Sequence, residues 1–71
     1  MDFVLERPDG LIAGIEVKAS QRVVSADFKG MEALRNLAKD DFVCGVVLYA
    51  GKDVVPFGDR FLAVPFSVLW Q

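Results

Sequence analysis

The residue types able to do chemistry together stand at Asp2 and at Glu16-Val17-Lys18, on either side of a turn signal, Arg7-Pro8-Asp9-Gly10. Pro presets φ for a turn, and Gly suits the left-handed position that closes a three-residue hairpin loop. With Pro8-Asp9-Gly10 as that loop, Arg7 faces Leu11. Counting back sets Leu5 opposite Ala13, Phe3 opposite Ile15 and Asp2 opposite Glu16. Side chains alternate along a strand, so the apolar pairs share one face while Asp2, Glu16 and Lys18 share the other. Two carboxylates about 5 Å apart repel by roughly 3 kcal/mol at an effective dielectric of 20. A hard divalent cation, Mg²⁺ or Mn²⁺, offsets that repulsion when it is held by one or two carboxylates and several waters. A neighbouring Lys then holds a phosphate or stabilises the charge that develops on it. The spacing thus nominates Asp2 and Glu16 as metal ligands, and Asp2, Glu16 and Lys18 as the catalytic set of a phosphodiesterase. The plainer alternative is a solvated polar hairpin face on which Lys18 screens Glu16, because exposed cross-strand charge pairs contribute little.

Positioning these groups is the task of a small chain. Its 71 residues permit one domain, 1–71, and a core that rarely supplies more than roughly 3–5 kcal/mol. There is no His and only one Cys, so neither a Cys-His zinc cluster nor an internal disulfide can staple it. A hydrophobic content of 54% with six Phe excludes a disordered chain. Net charge −2 has the wrong sign for a stand-alone nucleic-acid binder, so DNA contact is the weakest of the partner expectations. Arg22, Lys29 and Arg35 are read as solvated surface rather than phosphate contacts. The longest uncharged apolar stretch, Phe42 to Gly51, is about half a membrane span, and the first residues lack the basic opening of a signal peptide. A cytoplasmic protein with no membrane contact is expected.

The elements follow from patterning. Asp2 to Glu6 and Leu11 to Lys18 form the hairpin. Ser25 is a good N-cap and Asp27 places a carboxylate in the first turn of a helix over roughly Ala26 to Lys39. Phe28, Met31, Leu34, Leu37 and Ala38 make its apolar stripe. Phe42 to Ala50 is an unbroken apolar run, as in a strand covered on both faces, and contains Cys44 as an inert buried thiol. The intervening helix makes a right-handed crossover the simplest connection, laying this strand parallel to Leu11–Lys18. Val54 to Phe57 is an edge strand marked by Pro56, Phe61 to Val64 is a further strand, and Pro65 opens a terminal helical turn. Trp70 is expected to pack on the helix or a partner rather than stack on a base. The order is ββαβββ: an α+β (α/β-like) fold with a small mixed sheet of about five strands and one helix on a face. The sheet's other face has no cover, so a partner molecule or a further helix is expected there.

A carboxylate on one hairpin strand followed by acid-x-Lys on the next resembles the PD-(D/E)XK nuclease superfamily. More of the chain carries a closer likeness: Asp2-Phe3-Val4-Leu5-Glu6, Ile15-Glu16-Val17-Lys18-Ala19-Ser20, Asp27-Phe28-Lys29-Gly30-Met31, Val46-Val47-Leu48-Tyr49-Ala50-Gly51, then Ala63-Val64-Pro65 with Leu69-Trp70. Together these segments resemble the C-terminal domain of unknown function found in prokaryotic AAA-type ATPases. The resemblance implies a truncated restriction-endonuclease-like core, and a fragment that lacks the ATPase part. There is no G-x-x-x-x-G-K-[ST] loop, so ATP binding is not expected of this chain. Two functions compete. One is a non-catalytic or vestigial domain for docking, self-association or nucleic-acid contact, with a second copy or the missing ATPase region as partner. The other is a Mg-dependent DNA endonuclease using Asp2, Glu16 and Lys18.

Overall fold

Arg7-Pro8-Asp9-Gly10 folds as its residues dictate. The Gly10 amide donates to the Arg7 carbonyl at 2.9 Å, the Arg7 amide donates to the Leu11 carbonyl at 2.9 Å, and Gly10 takes φ 93°. This loop joins β1 (Phe3–Glu6) to β2 (Ile12–Lys18) with Phe3 opposite Ile15 and Leu5 opposite Ala13, the register expected from the turn. The computed structural model describes residues 2–70. After β2 come a 3₁₀ turn (Ser25–Phe28), α1 (Lys29–Ala38) and a second 3₁₀ turn (Lys39–Asp41). Then follow β3 (Phe42–Tyr49), β4 (Val55–Pro56), β5 (Phe61–Pro65) and a final 3₁₀ segment (Phe66–Trp70). The fold is α+β, a five-stranded mixed sheet in the order β1-β2-β3-β5-β4 with one α-helix. β3 runs parallel to both β2 and β5, while β4 pairs antiparallel to β5 at the edge that Pro56 marks.

The core lies between the sheet and the helical segment. Phe28 and Met31 pack against Phe42, Val47, Tyr49, Phe61 and Ala63. Phe61 is the aromatic junction, its ring 5.2 Å from Phe28 and 6.0 Å from Phe42. Gly45 sits beneath α1, where a Cβ would come within 2.5 Å of Met31 Sδ and 3.0 Å of the Phe61 ring. Glycine at this position therefore sets how closely the helix approaches.

Four sequence expectations change. The cap of the helical segment is Val24 rather than Ser25; Asp27 reaches back to accept the Val24 amide at 2.8 Å. Leu37 is 84% exposed, because six residues beyond Met31 is far round the helix, whereas Ala38 returns to the packed side with Leu34. β3 is central, yet its burial alternates: Gly45, Val47 and Tyr49 are buried, while Cys44, Val46 and Leu48 are only half-buried. One helix covers one face. Finally, Pro65 closes β5 opposite Tyr49 and the 3₁₀ segment begins at Phe66. The expected packing of the Trp70 side chain lies outside the described residues.

Candidate functional site

Glu16 and Lys18 are two apart on β2 and so share a side of the sheet. Their register partners on β3 are Val47 and Tyr49, both buried on the helix-covered side. The acid-x-Lys pair therefore points toward the layer that carries the 3₁₀ turn. That placement decides what Lys18 meets: its Nζ donates to Asp27 Oδ2 at 2.7 Å, with the two side chains 31% and 20% exposed. The same carboxylate oxygen accepts the Val24 amide. The Lys18 hydrogen bond, reinforced by the Val24 amide, holds the Asp27 carboxyl below the ordinary aspartate value of 3.8 against a smaller opposing effect of burial. Asp27 thus does two things at once, capping the helical segment and fixing the ammonium group of β2.

Asp2 stands just before β1, in the place where continued register would set it across from Glu16. Its Oδ2 accepts the Val17 amide at 2.7 Å. Val17 lies beyond the last residue of β2 that pairs with β1, so the carboxylate extends the hydrogen-bond ladder where the strand ends. Asp2 is tied to the backbone between Glu16 and Lys18, while Lys18 turns to Asp27. Sequence reasoning gave Asp27 only its helix-end role. The available signal was the phase of the stripe: with Phe28 and Met31 facing the sheet, the preceding acid must lie at the sheet's margin beside the end of β2.

A divalent metal is what the nuclease resemblance implies for this end of the hairpin. Among the described residues, no three Asp, Glu or Cys side chains gather closely enough to hold one. The carboxylate of Asp2 is turned to an amide and that of Asp27 to an ammonium group. The two carboxylates that the resemblance assigns to a metal, Asp2 and Glu16, stand together at this end of the hairpin, Asp2 against the amide next to Glu16. Of the three basic residues read as solvated surface, Arg22 and Lys29 are exposed, whereas Arg35 is half-buried against the core. Arg35 lies over the Phe61 ring at 4.7 Å, Arg22 is held by its backbone to Ser20, and Lys29 is exposed at the start of α1.

Residues 1–69 match the family model described as a domain of unknown function (DUF4143). The chain belongs to this family. The DUF4143 match takes in both hairpin strands, the Lys18–Asp27 pair and all five strands of the sheet. No curated protein and no solved structure matches the chain. No helix among the described residues is long and apolar enough to cross a membrane.

Proposed function

We propose that this DUF4143 chain is a non-catalytic, PD-(D/E)XK-like domain, related to the C-terminal domains of AAA-type ATPases, that acts in docking or self-association. The observation that carries the reading is a sheet face with no helical cover: Phe3 and Leu5 are each 55% exposed and Val17 42% exposed on the side opposite the core. Large apolar surface on a small domain is characteristic of a contact surface. The candidate site supports the same reading, since the ammonium group a phosphate would need is already neutralised by Asp27. Nucleic-acid contact is a lesser form of this function, given the net charge of −2.

The alternative is a Mg²⁺- or Mn²⁺-dependent DNA endonuclease, favoured by the hydrogen bond that ties Asp2 between Glu16 and Lys18. When bound, a metal on Asp2 and Glu16 would supply an activated water. Lys18, released from Asp27, would stabilise charge on the phosphate. Incubation of the chain with duplex DNA and either metal separates the two. The docking domain cleaves no faster than an Asp2→Ala/Glu16→Ala control; cleavage lost in that control would establish the nuclease instead.

A further inference from the structure

We propose that the occupant of the uncovered face is a second copy of this chain, packed sheet to sheet about a twofold axis. The inference rests on the docking reading above and names its partner. Register places Phe3, Ile15, Val46 and Leu62 in one row across β1, β2, β3 and β5, with Val17, Leu48 and Val64 in the next. None of these positions carries a charge. A twofold contact brings a residue on its axis against its own kind, so a charge there would repel itself; these two rows meet themselves without that penalty, while the charged Glu6 and Arg7 stand beside Leu5 toward the β1 end of the hairpin.

Area and shape point the same way. The molecule measures 32 × 26 × 18 Å, so only a contact that uses most of one broad side approaches the roughly 800 Å² per partner of a standard stable interface. The face also carries both a projection and a recess. Phe3 is 55% exposed on the β1 edge, and a hollow of about 310 Å³ lies among Leu5, Leu11, Ile12, Ala13 and Val43, with Glu6 and Arg7 completing its wall. A projection and a recess on one surface allow each copy to fill the other's hollow, with the two sheets about 10 Å apart in an aligned sandwich. The product is a four-layer assembly, helix-sheet-sheet-helix, in which both faces of β3 are covered.

Sedimentation velocity of the full chain over a dilution series tests this. The expected result is a dimer that dissociates on dilution. Val17→Lys, at a position already 42% exposed, leaves the far-ultraviolet spectrum unchanged and weakens the dimer at least about tenfold. Cys44 is the chain's one thiol and lies on the same face, so its labelling by a small thiol reagent slows in step with the fraction of dimer. A monomer at every concentration overturns the proposal, as do oligomers that grow without limit. So does a dimer that survives Val17→Lys, or one whose Cys44 labels as fast as in the monomer. Failure of the docking reading itself appears separately, as DNA cleavage that depends on Asp2 and Glu16.

Discussion

Along β3 and β5 the two faces of the sheet are built largely from apolar residues and do different things. On the helix side, Val47 and Ala63 are fully buried beside Phe42, Phe61 and Tyr49. On the other side the alternate residues of the same strands, Val46, Leu48, Leu62 and Val64, are only half-buried. Hydrophobicity alone does not distinguish these faces; the amphipathic stripe of a ten-residue helix does, because it is wide enough to cover one of them. Stability should therefore reside on one side and association on the other.

The sharpest way to break this contrast is to empty the covered side. Phe61→Ala removes the ring that Phe28, Phe42 and Arg35 all contact, and should cost about 3–5 kcal/mol, enough to leave the chain largely unfolded in a urea titration. Overfilling the same side is the next largest effect. Gly45→Val pushes a side chain into Met31 and Phe61 and should cost roughly 1–3 kcal/mol, read as a lowered urea midpoint.

At the margin between the layers, Asp27→Ala removes the carboxylate that caps the helical segment and holds Lys18, with an expected loss of about 1 kcal/mol. Its pH signature has a definite sign. Because the folded carboxyl titrates below its ordinary value, the stabilisation is fully present above the unfolded value near 3.8 and fades as pH falls through the lower folded value. Acid titration of the unfolding midpoint should show that decline in the wild type, and a correspondingly smaller one in Asp27→Ala. The smallest effect belongs to the open face: Phe3→Ser, at a side chain 55% exposed, should change monomer stability by no more than about 0.5 kcal/mol.

Much of the fold was legible in the residues because local rules agreed. Pro8 and Gly10 specified the loop, the loop specified the Phe3–Ile15 register, and the apolar run from Phe42 with a preceding helix specified a central parallel strand. Pro56 marked the edge. What was not legible depended on phase and tertiary packing. Leu37 fits a loose apolar stripe, yet falls off the face once Met31 and Phe28 define it. Ser25 has the chemistry of a cap, but Asp27 reaches the Val24 amide instead. The candidate site was legible in strand position and not in partnership. Spacing placed Glu16 and Lys18 on one side of β2, whereas the choice of Asp27 by Lys18 follows from where the crossover returns to the sheet, which no local pattern encodes.

Neighbouring residues of β3 offer the most direct measurement of the difference between the faces. Val46 and Val47 are chemically identical, adjacent and paired in the same ladders, but point to opposite sides. Val→Thr keeps the shape and replaces one methyl group by a hydroxyl, which is most costly where it cannot reach water. Urea unfolding at protein concentrations below any self-association should show Val47→Thr losing about 1–3 kcal/mol and Val46→Thr less than half as much. Equal losses, or a larger loss at Val46, would contradict a sheet with one closed and one open face.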